Sequence, residues 1–238
     1  MPRSKSSHSH NEMSRNRTER TLRASIGIVL LFGLWACVAA TFEPIPNWSL
    51  PLCASNAVPV RTPWDLTVSE LFDRLRKVVI GVQIVHPRRQ EWRAPSHIVV
   101  VTGGSPPGHV AAWLCFPTIV YYIIGIQEAY GSDQPEAALA RVIAHEFAHA
   151  ALRHDLSAVD HYQRESEADA LGTYYFEKAG FDCDWWVAKA RRRMLAQRGE
   201  GFLRDQAETE REYAAVKQGC ALSKEGRVPL SPRFLLSD

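Results

Sequence analysis

The feature that most narrows the folding options is His145-Glu146-Phe147-Ala148-His149, set within an apolar, alanine-rich stretch. A spacing of four places two residues one turn apart on the same face of an α-helix. Around them stand Ala137, Leu139, Ala140, Val142, Ile143, Ala144, Phe147, Ala148 and Ala150, so the helix is apolar nearly all round and belongs inside the fold. Two imidazoles drawn out of water on one face require polar partners. A single metal ion answers both requirements. Glu146 is turned about 100° from His145, beside such an ion rather than on it, where a carboxylate takes a proton from water. The helix is expected over residues 135–153, with Asp133 as its cap and Glu136 three residues later closing a capping box.

A catalytic zinc takes three protein ligands and keeps one position open. The next helical stretch, residues 162–178, carries Glu165-Ser166-Glu167-Ala168-Asp169. Glu165 and Asp169 share a face, and Glu167 points about 200° away from Glu165. Glu165 is therefore expected as the third metal ligand, after His145 and His149. Asp169 is expected behind it, holding the far ring nitrogen of a ligand imidazole. Glu167 is expected to be solvated or salt-bridged, and His154 and His161 are read as polar residues between helices.

The stretches HEFAHAALRH and ESEADALGTYYFEKAGFD together resemble the gluzincin metallopeptidases, and the M48 peptidase family in particular, over about residues 118–195. That resemblance implies a mostly helical α+β zincin-like domain with a small β-sheet, one Zn2+ per chain, and endopeptidase activity on proteins. It also implies roles: His145, His149 and Glu165 on the metal, Glu146 as general base, Asp169 behind the ligands. Many bacterial members serve quality control in the cell envelope. Two departures stand out. Only 15 residues separate His149 from Glu165, shorter than in many members. The family's C-terminal His-Pro-Arg element is missing, with Leu230-Ser231-Pro232-Arg233 at best a remnant, so the oxyanion-binding residue is unassigned.

The rest of the chain frames this body. Residues 1–23 are polar and basic, carrying six Arg or Lys against two Glu, and cannot build a core. Residues 24–40 are apolar without a charge, the layout of an export signal or membrane anchor. The segment can be cleaved after small residues, lipidated at Cys37, or retained. Met13, directly before the compact basic stretch, is an alternative start. Residues 41–63 hold five prolines, which forbid a regular helix and favour an extended tether or a strap on the domain surface. The folded metallopeptidase domain is expected over residues 64–238.

Within it, helices are expected over residues 65–77, 184–198 and 203–217 as well, and strands over residues 98–101, 110–116 and 118–124. Few strands and several helices, segregated along the chain, indicate α+β. Outside the cytoplasm Cys53, Cys115, Cys183 and Cys220 can form two disulfides in three connectivities, or stay buried thiols. Trp185 and Trp186 read as packing, and Arg191-Arg192-Arg193 as a solvated helix face.

The formal charge of +2 is the sum of +4 in the tail and −2 in the remainder. Such a body has no field for nucleic acid. The expected protein is an exported or membrane-tethered zinc endopeptidase acting on protein or peptide substrates, which would lie along a strand edge, residues 118–124. The alternative is a non-catalytic, zinc-folded adaptor for envelope proteins. Retention of Glu146 separates the two, because a structural metal needs no base. Oligomeric state is not set by the sequence.

Overall fold

A computed structural model of the chain describes residues 43–44, 57–82, 94–102, 111–154, 160–197 and 203–229. The expected basic tail, the export segment, Cys37, Cys53 and the remnant at residues 230–233 lie outside them. Among the described residues no helix is long and apolar enough to cross a membrane.

Short, largely continuous apolar runs rich in Val, Ile and Tyr form a small mixed sheet. Its strands are β1 (Glu43–Pro44), β2 (Val58–Arg61), β3 (His97–Thr102), β4 (Ala112–Cys115) and β5 (Thr118–Tyr122), in spatial order β1-β2-β3-β5-β4. β3 and β5 run parallel, with Val99 opposite Val120, and the other longer pairings, β2–β3 and β4–β5, are antiparallel. The proline-rich stretch thus contributes a paired strand, β2, to the sheet.

Two expectations about this region fail. Residues 118–124 are not an edge: β5 is hydrogen-bonded on both sides and all five of its residues are buried. The edge is β4, which joins β5 through Phe116–Pro117, a cis peptide bond. Residues 123 and 124 also leave the sheet, beginning a helix, Ile123–Tyr130, that the β-branched run conceals.

Six helices occur among the described residues: α1 (Asp65–Gly81), α2 (Ile123–Tyr130), α3 (Pro135–Leu152), α4 (His161–Lys178), α5 (Cys183–Gln197) and α6 (Leu203–Lys224). The α+β class is as expected, and the domain is mostly helical. α1 buries Val68, Leu71, Phe72, Leu75 and Val79, a stripe at helical spacing. Leu75 and Val79 are wholly buried, each contributing about 1.5–3 kcal/mol relative to exposure. That stripe meets α3, where the rings of Phe72 and Phe147 lie 5.1 Å apart.

α3 is buried on nearly every side, packing against α1, α2, β4 and α4. It begins with Pro135 in its first turn, and Gln134 precedes it without a side-chain cap. The expected Asp133 cap is absent because Asp133 Oδ1 instead accepts a hydrogen bond from Trp185 Nε1 at 3.4 Å. Trp185 and Trp186 are core residues, the latter packed edge-on to Phe176.

α4 runs between α3 and α6, and a glycine sits at each crossing. A Cβ on Gly172 would stand 3.0 Å from His145 Cα and 3.1 Å from its nitrogen. One on Gly219 of α6 would stand 2.2 Å from the Ala170 carbonyl oxygen. α5 and α6 are joined by the Cys183–Cys220 disulfide, and Cys115 is disulfide-bonded too.

Candidate metal centre

The three expected ligands converge. His145 and His149 lie on α3 and Glu165 in the second turn of α4, which Asp160 opens by accepting from the Tyr162 amide at 3.1 Å. His145 Nε2 is 2.9 Å from His149 Nε2 and 3.2 Å from Glu165 Oε2, while His149 Nε2 is 3.5 Å from Glu165 Oε1. Donor atoms about 2.0–2.1 Å from a tetrahedral zinc would stand about 3.3 Å apart. The separations bracket that value, so the donor set fits a small divalent cation.

The chemistry of the set points the same way. The far nitrogen of His145, Nδ1, lies 2.9 Å from Asp169 Oδ1. An ionised carboxylate only accepts, so Nδ1 carries a hydrogen and the lone pair of a neutral ring falls on Nε2. Lone pairs and a carboxylate facing one another repel unless a proton or cation lies among them. Burial opposes charge on His145, but hydrogen bonds to Asp169 and Glu165 outweigh it and raise its pKa well above the ordinary 6.5. Burial likewise pushes Glu165 up, but the hydrogen bond from His145 and the imidazoles facing it prevail and hold it far below the usual carboxylate range.

Exposure is graded across the site. The Asp169 side chain is 9% exposed, those of His145 and His149 are 18% and 14%, and Glu165 is 39% exposed. The centre therefore opens to water on the Glu165 side. His161 stands there as well, Nδ1 3.6 Å from Glu165 Oε1 and largely exposed. Glu146 is buried at 7%, and among the described residues none hydrogen-bonds its carboxylate.

Behind Asp169 lies α6. Glu212 on that helix pairs with Arg193 at 3.0 Å. Its pKa is raised, chiefly by burial and next by the nearby Asp169 charge.

Two side chains beside the centre form a pair that the sequence reading did not join. Glu167 takes the salt-bridged of its two expected states, 10% exposed and 3.1 Å from His154 Nε2. His154 is itself 3% exposed, with Nδ1 2.8 Å from His149 Nδ1. Periodicity missed this pair because His154 lies beyond the helix. Arg153, at φ 54° and ψ 45°, ends α3 in the left-handed region and folds the next residue back. The available signal was a histidine five residues after His149 with an acidic residue on the following helix.

A second group, Cys183, Asp184 and Cys220, also clusters within metal-ligand distance. Its two sulfurs are consumed in the disulfide, so it is not a comparable centre. In comparisons with protein-family models, curated proteins and solved structures, nothing matches this chain.

Proposed function

We propose that the protein is a zinc-dependent endopeptidase, held by His145, His149 and Glu165 around one ion. The observation that carries this reading is the convergence of three side chains whose nearest polar atoms stand 2.9–3.5 Å apart, next to a buried carboxylate that no described residue hydrogen-bonds. A purely structural site closes on four protein ligands, whereas here three meet and the fourth side faces water. The resemblance to the M48 family supports the same reading.

Zinc, when bound, supplies Lewis acidity toward a carbonyl and makes water acidic enough to ionise near neutral pH. The chain's own groups do the remaining work. Asp169 fixes the His145 ring so that Nε2 faces inward. Glu146 accepts the proton of the attacking water and returns it to the departing amine. An extended substrate adds to the sheet at β4, an end strand that packs against α3. Backbone pairing there fixes register, and Trp113, 44% exposed on that strand, offers an apolar contact.

Export or membrane tethering belongs to the same proposal. It is supported by the basic flank before residues 24–40 and by cysteines committed to disulfides, which persist in oxidising compartments.

The test is cleavage of unfolded casein by the full-length protein, with and without chelator, beside Glu146→Gln. Turnover should fall by at least ~10²-fold in the variant, with zinc content and Tm unchanged. Equal turnover would remove the mechanism. A wild-type protein that binds zinc and unfolded clients but cleaves nothing would establish the adaptor instead.

A further inference from the structure

His145 and His149 enter the proposed centre with the same atom, Nε2, yet their far nitrogens are held differently. His145 meets a carboxylate directly. His149 meets another imidazole, that of His154, with the rings set edge to face at 4.9 Å between centroids. His154 in turn meets Glu167, whose other oxygen accepts from Gln163 Nε2 at 2.8 Å. The backbone is fixed as well: Arg164 Nη1 donates to the His154 carbonyl at 3.3 Å.

Counting hydrogens along this chain leaves one consistent arrangement for neutral rings. The Glu167 carboxylate has no hydrogen to give, so His154 Nε2 donates to it. A neutral His154 then presents a lone pair at Nδ1, which must accept from His149 Nδ1. That leaves the lone pair of His149 on Nε2, the nitrogen that lies 2.9 Å from His145 Nε2 at the centre. The opposite tautomer would put a hydrogen where the ion belongs.

We propose that His154 and Glu167 are positioning residues for His149, a carboxylate–imidazole relay that holds the ligand in its metal-binding tautomer. The relay rests on the metal-centre reading for its purpose, but not for its geometry. His154 lies behind His149, bonded to its far nitrogen, and so takes no part as a ligand. The same network explains why a histidine and a glutamate are tolerated in a nearly dry place: each nitrogen and oxygen of the chain has a partner there. A mere polar plug at the end of α3 would need no particular hydrogen order.

Two readings on the full-length protein in detergent test this, one of them without metal. In metal-free protein labelled with 15N-histidine at pH 8, His149 should show a protonated Nδ1 and a bare Nε2. His154→Phe, which keeps a ring but removes both nitrogens, should scramble that tautomer. Zinc affinity, by competition with a chromophoric chelator, should fall about 10- to 100-fold, the usual cost of losing a partner behind a metal ligand. Glu167→Ala should act in the same direction. Glu167→Gln, whose side-chain oxygen still accepts from His154, should recover most of the loss.

An unchanged His149 tautomer, with zinc affinity within threefold of wild type in His154→Phe and Glu167→Ala, overturns the relay. If His154→Phe does not fold, the Glu167 pair decides by the same criteria. If wild type takes up no zinc at all, the peptidase reading fails separately, and the tautomer measurement still judges the relay.

Discussion

The two sides of α4 are built on different principles. Toward α3 it presents Glu165, Asp169 and Gly172, spaced to share a face, and the contact is a polar constellation resting on one backbone-to-backbone approach. Toward α6 it presents Ala170 under Gly219, and Glu177, which accepts from the Ser223 hydroxyl while Lys178 donates to the Ser223 carbonyl at 3.0 Å. That second side is backed by the Cys183–Cys220 link between α5 and α6. One side places the atoms of the proposed centre; the other keeps the helix where it is. The lesson is that stability and function are separable along a single helix, and substitutions should sort accordingly.

The largest contrast comes from removing one anchor on each side. His149→Ala should abolish both zinc binding and casein cleavage, because two remaining ligands do not retain the ion at submicromolar free zinc. Replacing Cys183 and Cys220 together by alanine should leave one zinc per chain and turnover at 25 °C unchanged. It should lower unfolding free energy by about 4 kcal/mol, the loop-closure value for a link of this length, measured by denaturant titration. Loss of zinc in the cysteine variant, or retention in His149→Ala, would break the comparison.

The two glycines give a finer cut. Gly219→Ala drives a methyl into the Ala170 carbonyl and should destabilise by about 1–3 kcal/mol through forced separation of α4 and α6, with zinc affinity kept within threefold. Gly172→Ala meets the His145 backbone less severely. Its cost in Tm should be smaller, yet zinc affinity should drop more than in Gly219→Ala, since the shift moves Glu165 relative to His145. Parallel melting curves and chelator competition on both variants read this directly.

The smallest effect concerns pH. In metal-free protein, the raised pKa of His145 adds stability that is complete below its ordinary value of 6.5 and is lost as pH rises through the folded value. The depressed pKa of Glu165 adds stability that is complete above its ordinary 4.5 and is lost on acidification through the folded value. Relative to His145→Gln, metal-free Tm should therefore be highest between pH 4.5 and 6.5 and decline on the alkaline side. Zinc affinity should run the other way, tightening as pH rises, because the ion displaces the His145 proton. A metal-free Tm difference that grows with alkalinity would refute the assignment of that proton.

Helical periodicity made the core of the site legible. The spacing of His145, His149, Glu165 and Asp169 depends only on 3.6 residues per turn and on α3 and α4 being neighbours. What escaped the sequence depends on events outside that period. Arg153 takes a left-handed conformation that no glycine advertises, and His154 reaches His149 only through it. β5 reads as an edge strand until the parallel partner β3, sixteen or more residues earlier, is known. Ile123 and Ile124 read as the end of a strand because Ile favours sheets, and the packing of the helix they begin against α3 overrides that preference. Asp133 has the right spacing for a cap and is drawn off by Trp185, 52 residues away.

The close approach of Gly172 to His145 sets the order in which this protein can be assembled and serviced. Because the two helices dock through a backbone approach as well as through the polar constellation, the proposed centre would be framed without the ion, unlike domains in which the metal is the folding nucleus. A chain emptied by a chelator should keep its helical circular dichroism, wait in that form, and regain full activity on a stoichiometric addition of zinc.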